Sequence, residues 1–186
     1  DHVQGENPYS AKGNCGLVSI SNFLNLCGVA AADEKMITKY AIDHDLCNHG
    51  WFVSSADRGG VTLENIQSIL KDFGIETKAY GPMDTEGSIE SIASRLETGY
   101  VGTMAVNAGH LWDNPSYIGD GFANHEVTLT GTVRDLETGE LLGLTVCDSG
   151  DGKACDVLTM DELKACYERT PMAHVVFSEV PVRRKI

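Results

Sequence analysis

The chain has 186 residues, 42% of them hydrophobic, which suits one domain spanning 1–186 with a sizeable core and is too apolar for a disordered tail. Its formal charge of −13 argues against nucleic acid as a partner, because phosphate binding needs a basic footprint, and suits a basic protein surface instead. No run approaches the roughly 20 apolar residues of a membrane span, and no charged-then-apolar signal opens the chain.

Residues 1–14 are polar, with Gly and Pro, and read as an extended lead-in. From Cys15 the apolar positions Leu17, Ile20, Leu24 and Cys27 fall at helical spacing, with Gly28 as the stop. A second helix is predicted over 33–42, with Met36, Ile37 and Tyr40 on one face. Residues 43–60 have no period and form a loop long enough to be functional. Thr62 then opens a helix carrying Ile66, Ile69, Leu70 and Phe73, ended by Gly74. A short strand over 75–80 precedes a helix capped by Ser88 and stopped near Gly99.

From Val101 the period changes to two. A strand over 101–107 leads into a Gly-rich loop, 108–123, and a second strand runs from His125 to Val133. Residues 135–140 make a turn, and 141–147 return as the other arm of a hairpin. A last helix is predicted over 160–169 and a last strand over 174–177. Helices thus dominate the first half and antiparallel strands the second: an α+β fold with a helical lobe on a small antiparallel sheet.

Six cysteines, at 15, 27, 47, 147, 155 and 166, are too thinly spread for a disulfide scaffold. Cys27 and Cys166 fall within predicted helices and read as buried thiols, which points to a reducing compartment. Cys15 differs, because it sits at the first turn of a helix. The N–H groups there favour negative charge, so a thiol so placed loses its proton more readily.

A cysteine nucleophile needs a base, and the base an orienting group. His125 opens a strand directly after the Gly-rich loop, at the rim of the sheet. Asp148 ends the return arm of the hairpin, and the turn is about equidistant from both, so the two are predicted to be neighbours. Alone, His125 reads as a surface residue and Asp148 as a turn cap. His110, in the Gly-rich loop, is an alternative base. His44, Cys47 and His49 cluster in sequence but lack a second ligand pair at zinc-finger spacing, so no metal or other cofactor is expected. His2 and His174 read as a terminal and a strand residue.

Cys15-Gly16 at a helix start, Asn124-His125-Glu126-Val127-Thr128-Leu129-Thr130-Gly131 as a strand, and Val146-Cys147-Asp148-Ser149-Gly150 together resemble papain-like cysteine peptidases. Their bacteriocin-processing, double-glycine-cleaving branch is the nearest match, and the order of elements follows it over most of the chain. The resemblance implies Cys15 as nucleophile, His125 as proton shuttle and Asp148 as the residue that orients the histidine. More narrowly, Gln4-Gly5, Asn14-Cys15-Gly16-Leu17-Val18-Ser19 and Cys147-Asp148-Ser149-Gly150 are similar to C-terminal papain-fold toxin domains. That likeness implies a domain cut from a longer secreted polypeptide, as does the start at Asp1, delivered into a target-cell cytoplasm and countered by a cognate immunity protein.

The pattern departs from the family in one place. An oxyanion-hole glutamine is expected six residues before the cysteine, where this chain has Tyr9. Gln4 is the candidate in its stead if Tyr9–Gly13 bulges out, with Asn7 and Asn14 as substitutes. The Cys15 N–H would be the second donor. The family implies a protein substrate, cleaved after Gly-Gly. Trp51 and Phe52 in one long loop, and His110 and Trp112 in the other, are candidate walls of a cleft too narrow for a Cβ. Transglutaminase or deamidase chemistry would use the same three residues, and a non-catalytic leader-peptide-binding domain would share the fold.

Overall fold

A computed structural model describes residues 3–29, 32–150 and 153–182; His2 lies outside them. The helices are α1 (Cys15–Leu26), α2 (Glu34–Asp43), α3 (Leu63–Asp72), α4 (Ile89–Glu97), and the short α5 (Ala108–Leu111) and α6 (Met160–Leu163). The strands are β1 (Thr77–Tyr80), β2 (Gly102–Val106), β3 (His125–Arg134), β4 (Leu141–Asp148), β5 (Lys153–Thr159) and β6 (His174–Ser178). They form one antiparallel sheet in the order β1-β6-β2-β3-β4-β5. The α+β, papain-like class expected above is the one observed.

Local chemistry sets most boundaries. The Asp33 carboxylate accepts from the Met36 N–H, Thr62 and Asn65 form a reciprocal capping box, and the Ser88 hydroxyl accepts from the Ser91 N–H. Gly74 ends α3 at φ +85°, a conformation that favours glycine.

The helices do not form one lobe. The two-residue period of β2 and β6 sends Met104, Val106, Val175 and Phe177 to one face, where Ile92, Leu96, Leu163 and Tyr167 cover them. Val176 faces the other way, into a second core with Leu17, Phe23, Ile37 and Ile69 of α1–α3. The sheet is therefore sandwiched, and it is wider than predicted because β5 extends it beyond the hairpin. The last helix is also shorter than predicted. α6 ends at Leu163 and the chain continues as a wider π-helical turn over Lys164–Glu168. Tertiary bonds hold that turn: the Cys166 carbonyl accepts from the Asn107 N–H at 2.9 Å, and the Tyr167 hydroxyl donates to the Gly87 carbonyl at 2.8 Å.

Candidate active site

α1 is fastened to β3 by a buried pair of side-chain bonds. The Ser19 hydroxyl donates to the Glu126 carbonyl at 3.1 Å, and the Thr128 hydroxyl donates to the Ser19 carbonyl at 3.3 Å. Cys15 lies four residues before Ser19, one turn along the same helix face, which carries it to the end of β3 where His125 begins. Gly16 lets Val61, just before α3, pack against the start of α1: a Cβ there would stand 2.3 Å from Val61 Cγ2. Asn14 precedes α1 without capping it, and no acidic residue occupies the first turn. The positive end of the helix is thus left for Cys15 and whatever binds beside it.

The pairing of Thr128 with Cys147 sets Asp148 level with Val127. Since side chains alternate, His125 and Asp148 project from the same face, one diagonal step apart. Both are buried, and His125 Nε2 lies 2.7 Å from Asp148 Oδ1. Two more donors complete the carboxylate: the Trp112 indole N–H at 2.7 Å to Oδ2 and the Gly150 N–H at 2.8 Å to Oδ1. Burial favours the neutral acid, but the hydrogen bond and charge of His125, with the Trp112 and Gly150 donors, hold Asp148 below its ordinary range.

On the histidine, burial opposes the charged ring. Hydrogen bonds to Asp148 and to Cys15, with their charges, outweigh it and push His125 up to about 10. With Nε2 committed to Asp148, Nδ1 is the ring nitrogen left for Cys15. Trp112 also tilts over the imidazole, with ring centroids 5.0 Å apart. Its indole excludes a side chain at Gly150, whose Cβ would stand 2.3 Å from Trp112 Cζ2.

Two cavities flank Cys15 and His125. The larger, about 540 Å³, runs over Val61, Leu63, Ile66 and Met172 toward Glu126. The smaller, about 340 Å³, is bounded by Gln4, Asn48, Asp57 and Trp112. Gln4 reaches it because residues 4–14 close into a loop, in which Gln4 Nε2 donates to the Lys12 carbonyl at 3.1 Å and the Gly5 N–H to Asn14 Oδ1 at 3.0 Å. The Gln4 amide has a second N–H beyond the one given to Lys12. Its Oε1 accepts from the Ser149 hydroxyl at 3.2 Å, tying the loop to the residue after Asp148.

Sequence reasoning missed Glu34. This carboxylate, 4% exposed, turns inward from the first position of α2, and its Oε1 accepts from the Gly5 N–H, Asn7 Nδ2 and Asn14 Nδ2. Asn7 and Asn14, the alternatives to Gln4, therefore spend their amides on structure. Only the acidic residue at a helix start was visible in the sequence, and that is also an ordinary dipole partner.

Other candidates lie elsewhere. Trp51 is 92% exposed, its ring edge-on to the exposed Phe52, and neither lines a cavity. Their loop turns its backbone inward instead: the Lys12 N–H donates to the Ser55 carbonyl and the Gly13 N–H to that of Arg58. His110 is exposed and lines neither cavity, because the Asn107 cap starts α5 with its side chain directed outward. Trp112 does line the smaller cavity, with its polar end on Asp148. His44 stacks on Tyr40 and His49 meets Asp45, and no group of three His, Cys, Asp or Glu side chains among the described residues could hold a metal. Nor is any described helix long and apolar enough to cross a membrane.

No family model matches the sequence, and no curated protein does. Solved structures do match. One is described as a C39-like peptidase from Bacillus anthracis, at TM-score 0.60 and 12% identity over 97% of this chain and 95% of that one. Another is a double-glycine motif protease from an AMS/PCAT transporter in complex with the leader peptide, at TM-score 0.52 and 15% identity over 97% and 91%. The fold of this chain, six strands with the cysteine-bearing helix laid across them, is that of the C39-like, papain-like peptidases.

Proposed function

We propose that the chain is a cysteine peptidase of the double-glycine type, with Cys15 as nucleophile, His125 as proton shuttle and Asp148 as the orienting carboxylate. The observation that carries the reading is the buried His125–Asp148 contact of 2.7 Å, with Cys15 and His125 lining the same two cavities. His125, pushed up to about 10, carries at neutral pH the proton that the departing amine requires. The Cys15 sulfur attacks the peptide carbonyl, and His125 gives its proton to the departing amine. A thioester forms as the C–N bond breaks. His125 then takes a proton from water, whose oxygen attacks the thioester and releases the acid and the thiol. The oxyanion meets the Cys15 N–H at the uncapped helix start and the second N–H of Gln4.

The substrate in this reading is a peptide cut after Gly-Gly, which rests on the fold shared with a double-glycine motif protease. The test is incubation of wild type and Cys15→Ala with peptides containing Gly-Gly and with Gly→Ala counterparts. Scission by wild type alone, lost on Gly→Ala, is expected. Ammonia release without scission would replace the reading with deamidase or transglutaminase chemistry, and binding without either product would leave a leader-peptide-binding domain. Delivery as an interbacterial toxin with an immunity protein rests on the sequence resemblance. It predicts that cytoplasmic expression arrests growth and that Cys15→Ala relieves the arrest.

A further inference from the structure

The larger cavity holds a group that the chemistry at Cys15 leaves unused. Glu126 follows His125 on β3, so its side chain points to the opposite face of the sheet, where it is 6% exposed. Its Oε1 accepts from the Thr103 hydroxyl at 2.7 Å, and its Oε2 accepts no hydrogen bond among the described residues. The nearest ring nitrogen, His174 Nε2, is 3.9 Å away, beyond hydrogen-bond range, and is itself buried without a partner. His174 Nδ1 lies 3.2 Å from the Met172 carbonyl, to which it donates, so in the neutral ring Nε2 is an acceptor facing an acceptor. A carboxylate so buried, with one hydroxyl partner and only the His174 ring opposite it at 3.9 Å, is costly to keep charged. Burial accordingly pushes the Glu126 carboxyl up, against the opposing influence of His174, the Thr103 bond and His125.

The approach to Glu126 is apolar, formed by Val61, Leu63, Ile66 and Met172, with the exposed Glu64 also on the wall and neither Lys nor Arg lining it. An apolar passage ending in a carboxylate matches a side chain that buries methylenes and carries its charge at the tip. We propose that this cavity is a specificity subsite for a lysine or arginine side chain of the substrate, anchored on Glu126. The inference rests on the peptidase reading and names its substrate class. The incoming cation supplies a permanent counter-charge in hydrogen-bond contact with Glu126, which the His174 ring at 3.9 Å does not.

The experiment uses peptides that differ at one position, Lys, norleucine or Glu, scanned along the residues flanking Gly-Gly. Cleavage is read as kcat/KM with wild type and Glu126→Gln, which keeps an acceptor for Thr103. Binding is read by fluorescence anisotropy with Cys15→Ala and with Cys15→Ala/Glu126→Gln. One position is expected at which Lys exceeds norleucine by about tenfold or more, as a buried charge pair can provide, with Glu the poorest. In Glu126→Gln the Lys-to-norleucine ratio should fall to about one. A Lys preference that survives in Glu126→Gln, or no Lys preference at any position, overturns the subsite. The wild-type and Cys15→Ala arms decide this even if Glu126→Gln does not fold. Lys-selective binding without cleavage would retain the subsite and remove the peptidase reading; cleavage indifferent to Lys would do the reverse.

Discussion

Asp148→Asn is the substitution for which the structure makes the sharpest demand. The side chain keeps its shape but loses a charge and one acceptor, in a site where three N–H donors converge on two oxygens. If the amide oxygen takes the place of Oδ1, His125 and Gly150 keep their acceptor. The NH2 then faces the Trp112 N–H across 2.7 Å, donor against donor. If the amide flips, Trp112 is satisfied but the NH2 faces both His125 Nε2 and the Gly150 N–H. Nε2 must then accept, so the proton moves to Nδ1 and the ring can no longer take one from Cys15. One unsatisfied buried donor costs about 1–3 kcal/mol, which in a chain of this size, at about 2–4 °C per kcal/mol, is a fall in Tm of roughly 2–12 °C. Loss of the correct tautomer costs about four orders of magnitude in kcat where the analogous change is known in serine proteases. Thermal melts and single-turnover cleavage of a Gly-Gly peptide measure the two effects separately. An Asn variant that melts with wild type and keeps its rate would refute the account of the three donors.

The same pair predicts a pH signature. The raised His125 value contributes stability that is full below its ordinary 6.5 and lost as pH rises toward about 10. The lowered Asp148 value contributes stability that is full above its ordinary 3.8 and lost as pH falls below it. The difference in urea stability between wild type and Asp148→Asn should therefore be widest between about pH 4 and 6.5 and narrow on both sides; a difference constant from pH 3 to 10 would contradict the shifts. Glu34→Ala leaves one N–H of each of the Asn7 and Asn14 amides without its acceptor, while the Gly5 N–H keeps Asn14 Oδ1, and should lower stability by about 2–4 kcal/mol, read by urea denaturation. Gly150→Ala forces Trp112 off Asp148 and should lower kcat at least tenfold, with the loss of Trp112 packing visible as a change in tryptophan fluorescence.

What the sequence made legible was local. Thr62, Ser88, Gly28 and Gly74 mark helix ends through their own chemistry. The count of residues around the 135–140 turn was enough to bring His125 toward Asp148, because antiparallel pairing is arithmetic once the turn is placed. What escaped was long-range. In β5 the apolar residues do not mark a buried face, since Cys155 and Val157 are exposed and Leu158 next to them is buried, so this edge strand carries little periodic signal. The break after Leu163 is imposed by Asn107 and Gly87, far away in the chain. Trp112 read as a cleft wall because its ring is large, whereas its indole N–H is the part that holds Asp148. Glu34 acts on residues 20 to 29 positions earlier, a distance at which sequence patterns are silent.

The central claim is that Cys15 carries an acyl group. An acid quench during turnover of a Gly-Gly peptide, followed by intact-mass measurement and peptide mapping, reads this directly. The account predicts a thioester equal in mass to the N-terminal product, located on Cys15 alone and absent from Cys15→Ala. An acyl group on another cysteine, or cleavage by Cys15→Ala at the wild-type rate, would contradict it.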